Sequence, residues 1–343
     1  MWFRVRNASS ARSVAPFVWA SALLALSLVD VSRADPLAPA EPAPRDDPEA
    51  ADVEAPSDPE PHHLRTLGEM AFGLGGFAVG YWALQATQQP DWDYPSLSGR
   101  FDGSAWRFDN NQLIINFWLH PIAGGEMYAL SRANHHGPLA SAGYSTLSSF
   151  LWEFVFEYRE FVSVNDLLAT SFPGIAVGEF LHKLGLYLDS AERPSTGLRV
   201  AQWVLTPGHQ YDRFVDGRVG SDDLPRDDLG LRRDIWHDFD VRSTFGAGIH
   251  RDGGEYPAFG LGFRGSLVSL PGYRRPGHRG AGFTSADFAS LAFQTEASEH
   301  GPGLHMSSEV LLAGYHTQDL WLAHGRGDPS GRMALTGSTF TTG

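Results

Sequence analysis

The hydrophobic period of this chain changes once, near residue 236, and that change restricts what the chain can fold into. Upstream, apolar residues fill long segments with helical spacing; downstream, they alternate. Between 239 and 250 the odd positions are Phe239, Val241, Ser243, Phe245, Ala247 and Ile249. The even ones are Asp240, Arg242, Thr244, Gly246, Gly248 and His250. Alternation of this kind puts one face of a strand on a core and the other on polar surroundings. The pattern returns in Phe259–Leu267, in Ala289–Phe293, around Met306, Val310 and Leu312, and in the shorter Met333–Phe340. Gly, Pro, Asp and Arg turns separate these strands, so 236–343 is predicted to be an antiparallel β domain. Two-faced strands of about 9–11 residues also suit a transmembrane barrel, but a single-chain barrel needs about eight of them. The expected fold class is therefore α+β: an apolar helical domain followed by an antiparallel β domain. The β part is either an ordinary sheet or a partial outer-membrane-type barrel, completed by the helices or by a second subunit.

The helical part is expected over 64–210. Leu67–Ala86 is apolar except for Glu69, with Gly73, Gly76 and Gly80 on one small-residue face. About 20 such residues fit a membrane span or a buried bundle helix, and both readings stay open. Trp92, Tyr94, Trp106 and Phe108 mark an aromatic loop. Helices follow at Leu113–Arg132, with Pro121 as a kink or first-turn residue, and at Tyr144–Phe161. A third starts at Val164–Ala169, is interrupted by Pro173-Gly174, and continues over Ile175–Leu188. A last one, Thr196–Leu205, stops at Pro207-Gly208. These segments are apolar nearly all round, so they are expected to be buried in protein or in lipid.

The N-terminus has the layout of a cleavable export signal. Arg4, Arg6 and Arg12 precede an apolar run over Val14–Val29, then Ser32-Arg33-Ala34 supplies small residues for cleavage after Ala34. Residues 1–34 carry four Arg and one Asp, so their removal takes the formal net charge from −14 to −17. Such a balance argues against nucleic acid as a partner. Cysteine is absent, which excludes disulfides, thiolate metal sites and a lipidated cysteine at the cut. Residues 35–63, with nine acids against one arginine among Pro and Ala, are expected to form a disordered tether.

Charged and polar groups inside apolar helices are costly unless paired, so they are the candidates for function. They are His120, Glu126, Arg132, Glu153, Glu157, Arg159, Asn165, Asp166, Glu179 and His182. Glu153 and Glu157, four apart, would share a helix face, where close carboxylates raise one another's pKa for acid–base or metal chemistry. Glu179 and His182 have the Glu-x-x-His spacing of helical-bundle di-metal sites, although only one such pair exists. The candidate catalytic set is His120, Glu153, Glu157, Asp166 and Glu179. The candidate metal set is His120, Glu153, Glu157, Glu179 and His182, with Glu126 as a further ligand. The competing reading is structural. In it Arg132 or Arg159 neutralises Glu153 or Glu157, Asn165 or Asp166 caps a helix, and His120 bonds a carbonyl. Gly143–Leu147 lacks the last glycine of a nucleophile elbow, and no phosphate loop or dinucleotide fingerprint is present. Ser145, Ser148 and Ser149 near His120 offer a hydrolase alternative, and His135-His136 reads as an exposed loop pair. No particular cofactor is indicated.

Several of these residues form motifs: His120-Pro121 with Gly124 and Tyr128, Trp152-Glu153-x-x-x-Glu157, Asn165-Asp166-Leu167-x-x-Thr170, and Gly178-Glu179. Trp106-x-x-Asp109-Asn110-Asn111 leads into them. Over about residues 100–215 the chain resembles a bacterial envelope family catalogued as a domain of unknown function. The resemblance implies an export signal, a helical block and a β-rich part of outer-membrane type. It implies no activity. Thr170–Gly174 departs from that family's Thr-Pro spacing.

Two functions stay open at this level. One is an exported, structural or transport-related component of the periplasm or outer membrane, with membrane partners and homo-oligomer formation open. The other is a membrane-proximal enzyme acting on lipid or envelope glycan, with Glu153 or Glu157 as base and His120 or His182 as partner, with or without a metal. Convergence on an open pocket would favour the enzyme. Acids that each meet a cation or a backbone donor in a closed core would favour structure.

Overall fold

The computed structural model describes residues 60–85, 94–108, 115–189, 191, 194–216, 235–249, 255–270, 273, 277–298, 301–320 and 338–341. The expected export signal, most of the acidic tether, Trp92 and Asp109-Asn110-Asn111 lie outside the described residues.

The chain forms helices first and antiparallel strands second, the α+β arrangement that the change of period predicts. Helix α1 covers His63–Gln85. A short α2, Leu97–Asp102, is capped by Ser96, whose hydroxyl accepts from the Gly99 amide, and ends at Gly103 with φ 85. A π-helical turn, Ile115–Leu119, runs into α3, His120–Ala133, where Pro121 is a first-turn residue and no kink. Helix α4 starts at Pro138, earlier than Tyr144, and ends at Leu151. A second π-helical turn, Trp152–Phe156, ends the segment five residues short of Phe161. Strand β1, Trp106–Arg107, pairs in parallel with β2, Val162–Ser163.

Helix α5 is continuous over Val164–Asp189, so the expected break at Pro173-Gly174 does not occur. An interior proline removes one helical hydrogen bond. Here tertiary contact outweighs that loss, because Gly174 lies directly against the backbone of Gly124 and Gly125. Helices α6, Thr196–Leu205, and α7, Pro207–Asp216, form a hairpin; Pro207 both ends the first and opens the second. Of the glycines of the expected small-residue face on α1, Gly73 faces Met127, whereas Gly76 and Gly80 face open space. No helix among the described residues is long and apolar enough to cross a membrane.

Seven strands follow: β3 Trp236–Ile249, β4 Glu255–Val268, β5 Gly277–Phe283, β6 Phe288–Ser298, β7 Gly301–Leu311, β8 Gly314–Leu320 and β9 Ser338–Thr341. Sequence reading missed β5 and β8, whose seven residues contain too few alternating apolar positions to register. The strands make a four-stranded sheet in the order β3-β4-β6-β7 and a three-stranded sheet β5-β8-β9, all antiparallel, with no closed barrel among the described residues.

Helix α5 lies on the larger sheet. Its Phe180, Leu184, Tyr187 and Leu188 form one core with Leu267 and Ala289, flanked by Phe239, Phe263 and Leu291. The Phe180 ring sits on Gly265, where a Cβ would stand 2.7 Å from it. Glycine on the apolar face of β4 is thus the seat of the helix.

Candidate functional site

The site is organised by the crossing of α3 and α5, which glycines permit. A Cβ on Gly124 would collide with the Thr170 carbonyl oxygen, and one on Gly174 would lie 2.9 Å from the Gly124 backbone. A Cβ on Gly178 would lie 2.6 Å from the Gly125 carbonyl and from Tyr128 Cβ. Only backbones without side chains approach this closely. The contact brings two polar clusters into the helical interior.

The first cluster surrounds Glu179, which is 0% exposed. Tyr128 donates its hydroxyl to Oε2 at 2.8 Å, and Arg132 donates Nε to the same oxygen at 2.9 Å. Lys183 Nζ, the chain's only lysine, stands 3.5 Å from Oε1 and donates to Ser269 Oγ at 2.8 Å. Arg132 also donates to the His136 and Ser285 carbonyls. A buried carboxylate is thus met by two cations and a phenol, and the group ties α3, α5 and the sheet together. Burial pushes the Lys183 pKa down and Glu179 opposes it, whereas the Tyr128 phenol is pushed up, first by burial and then by Glu179.

The second cluster starts at His120. Its Nδ1 lies 3.0 Å from Thr170 Oγ1 and its Nε2 3.4 Å from Asp166 Oδ2. Asn165 Nδ2 donates to Asp166 Oδ1 at 3.0 Å, and Ser163 Oγ donates to Asn165 Oδ1 at 3.0 Å. The Ser163 hydroxyl also accepts the Asp166 amide, so Ser163, not Asn165 or Asp166, caps α5. The Ser163 amide in turn donates to Glu153 Oε2 at 2.9 Å.

Glu153 is 1% exposed, and its neighbourhood contains the buried Arg100. That guanidinium donates to the carbonyls of Glu153, Glu157, Tyr158 and Glu160, closing the end of the second π-helical turn. Burial lowers the Arg100 pKa, and Glu153 and Glu157 oppose that shift. Both carboxylates also act on Tyr81, whose phenol donates to Glu160; burial, Glu157, Glu160 and Glu153 all push its pKa up. The π winding leaves Glu157 beyond the helix end, at φ −92 and ψ 37, so the simple i, i+4 face expected of Glu153 and Glu157 is not formed. Arg132 holds Glu179, and the Arg159 guanidinium stacks over Trp82 at 4.8 Å. Arg100 had no periodic signal around it, and sequence reading missed it.

Further titratable groups lie where α7 meets α3 and α5. Asp189 receives His209 Nε2 at 2.6 Å, Gln210 Nε2 at 2.8 Å and an Arg213 guanidinium nitrogen. The His182 ring is 6.1 Å from that of His209, and burial, then Arg132, pushes its pKa well below the usual imidazole value. Glu126 sits at the first turn of α7, where burial raises its pKa to about 7 against the opposing Gly208 amide. His135-His136 is not simply an exposed loop pair: His136 is buried and bonds Thr66 Oγ1 at 2.9 Å. The two His-His pairs meet, with His63 4.6 Å from His136 and His62 5.3 Å from His135 between ring centroids.

Of the five candidate metal ligands, His120 and Glu153 stand at the two ends of the Asp166–Asn165–Ser163 network, Glu157 at the helix end, Glu179 with its cations, and His182 beside His209. The expected Glu-x-x-His pair is therefore divided, because Glu179 already holds Arg132 and Lys183. Among the described residues no group of three or more His, Asp or Glu is placed to hold a metal ion. Among the shallow concavities of the described surface, one runs along Thr244–Ala247 and Ala258–Gly260 and another lies around Arg199, Trp203, Arg213 and Phe214. Neither includes the candidate catalytic residues.

A family described as a domain of unknown function, DUF3943, matches residues 105–208. The matched stretch contains the glycine crossing and the carboxylates Glu153, Asp166 and Glu179 of the two polar clusters, whereas Arg100, Ser269 and Ser285 lie outside it. No curated protein and no solved structure matches the chain.

Proposed function

We propose that this protein is an exported, membrane-docked structural component of the bacterial cell envelope. The observation that carries the proposal is that helix α4 and the α6–α7 hairpin are inverted, with polar and small residues inward and large apolar residues outward. Helix α4 buries Ser141, Ser145, Ser148 and Ser149 and exposes Leu139, Leu147 and Phe150. The α6–α7 hairpin buries Gln202, His209, Gln210 and Asp212 and exposes Val200, Trp203, Val204, Tyr211, Phe214 and Val215. Leu139, Phe214, Phe245 and Phe72 are 82%, 81%, 81% and 80% exposed. Water-facing helices have the opposite pattern, whereas helices in lipid pack through small and hydrogen-bonding residues and turn apolar side chains outward.

The sheet continues this theme. Its helix-facing side carries Phe239 and Phe263 against α5, then runs on to Val241, Phe245 and Phe259, which are exposed. Phe245 and Phe259 face one another across β3 and β4, with ring centroids 5.0 Å apart. Contiguous apolar surface of this extent marks a membrane or protein contact. Glu153 and Glu179 meet backbone or cationic partners in closed surroundings, which supports structural roles for both.

The test is flotation of the purified full chain with vesicles of phosphatidylethanolamine and phosphatidylglycerol, alongside fractionation of the native membranes. The chain is expected to float with vesicles and to partition with the outer membrane. Trp203→Glu with Phe214→Glu should lower the vesicle-bound fraction about tenfold. Recovery in the soluble fraction as a discrete oligomer would overturn the reading and assign the apolar exterior to a second copy of the chain.

A further inference from the structure

We infer that the cleft between α6 and α7 binds the phosphate headgroup of an anionic phospholipid, with Arg199 as the cation that selects it. Both helices of the hairpin carry a cation, an amide and an aromatic ring at i, i+3 and i+4 spacing, which puts the three on one face. On α6 they are Arg199, Gln202 and Trp203; on α7 they are Gln210, Arg213 and Phe214. These six residues, with Pro194, line a single concavity. Each wall therefore supplies one cation and one ring.

Asp189 fixes the floor. Gln210 Nε2 donates to its Oδ1 at 2.8 Å, and Gln202 Nε2 donates to the same oxygen at 3.3 Å and to the Leu188 carbonyl at 2.8 Å. His209 Nε2 lies 2.6 Å from Oδ2, and an Arg213 guanidinium nitrogen donates to Oδ1. Arg213 is thereby held half-buried in the cleft, with its charge offset by Asp189. Arg199 differs. It is exposed, and its guanidinium meets no carboxylate among the described residues. In a chain of formal net charge −14 this is a local reversal of sign, and guanidinium N–H groups match phosphate oxygens in pairs.

Shape and rim indicate where the phosphate comes from. The concavity holds about 240 Å³, less than the roughly 300–1,000 Å³ that encloses a whole small ligand, so it suits a group presented from outside. Trp203 and Phe214 are exposed and stand beside Val200, Val204, Tyr211 and Val215 on the apolar exterior of the hairpin. A tryptophan and an arginine at the edge of an apolar surface fit the headgroup level of a bilayer, where the ring lies at the interface and the cation reaches the phosphates. A free phosphate would leave that rim uncovered. The choice of a lipid rests on the membrane-docked reading; the cationic cleft does not.

An anionic bilayer repels this acidic chain as a whole, so a preference for one reports a local site. Flotation of the full chain at low salt compares vesicles of phosphatidylcholine alone with vesicles of phosphatidylcholine and phosphatidylglycerol in equal parts. The bound fraction is expected to be about tenfold higher on the anionic vesicles, and Arg199→Ala should lower that ratio about fivefold. Arg199→Lys, which keeps the charge, should restore most of it. Equal binding of the wild type to both vesicles, or a ratio unchanged in Arg199→Ala, overturns the site and leaves membrane docking intact. Calorimetric titration in a neutral detergent with monomeric dihexanoyl phosphatidylglycerol reads the site without a bilayer. Saturable binding that is lost in Arg199→Ala, in a chain that floats with neither vesicle, supports the site and overturns docking. Inorganic phosphate bound as tightly as the short-chain lipid would overturn the lipid source.

Discussion

At the residue scale, the consequences of burial are specific enough to measure. Gly178→Ala puts a methyl group into the Gly125 carbonyl and the Tyr128 side chain, and both belong to helix cores that cannot give way. A loss of about 2–4 kcal/mol is expected in denaturant unfolding. Glu179→Gln strands Arg132 and Lys183 beside a neutral amide, at a cost of about 3–5 kcal/mol. Glu126 behaves in the opposite sense. Its folded pKa is raised from 4.5 to about 7, so folding favours the neutral acid. The penalty is absent below pH 4.5, grows as the pH rises to 7, and is complete above it. Glu126→Gln is therefore expected to stabilise the protein by about 1–3 kcal/mol at pH 8, with the gain vanishing as the pH approaches 4.5.

At the element scale, the inverted α6–α7 hairpin and the continuous α5 make separate predictions. Trp203 and Phe214 project outward, so replacing both with Glu should leave the thermal midpoint within about 2 °C in detergent while reducing vesicle binding. A large loss of stability would mean that these rings pack in the fold. Pro173 lies inside α5 without breaking it. Pro173→Ala restores a helical N–H, and a gain of about 1–3 kcal/mol is expected by the same unfolding measurement.

At the scale of the whole molecule, the histidine cluster joins the start of α1 to the α3–α4 connection, next to the Arg65 pairs with Glu69 and Asp212 that tie α1 to α7. Arg132, Asn134 and Tyr144 face the same junction from α3 and α4. Burial first, then His63, His62 and His135, lowers the His136 pKa. A base with a depressed folded pKa contributes stability that is full above its ordinary value and is lost as the pH falls below it. The His136 contribution to the unfolding free energy should therefore decline below about pH 6.5, against the opposite contribution of Glu126. The decline should be smaller in His136→Gln, which keeps an acceptor for Thr66. A profile unchanged by the substitution would show that other groups control acid stability.

The sequence by itself determined the α+β order, the change to strands at 236 and the two-faced character of the main strands, because periodicity is a local property of the chain. It also identified His120, Glu153, Asp166 and Glu179 as residues that apolar helices must accommodate, because the cost of a buried charge does not depend on where its partner lies. Tertiary structure alone decided the partners. Arg100 reaches the 153–160 segment from a short helix, Thr170 meets His120 across a glycine crossing, and the second His-His pair meets the first across 70 or more positions. It also kept α5 whole through Pro173 and turned the apolar faces of α4, α6 and α7 outward. Helical spacing sorts residues into faces, but only the packed neighbours decide which face is inside.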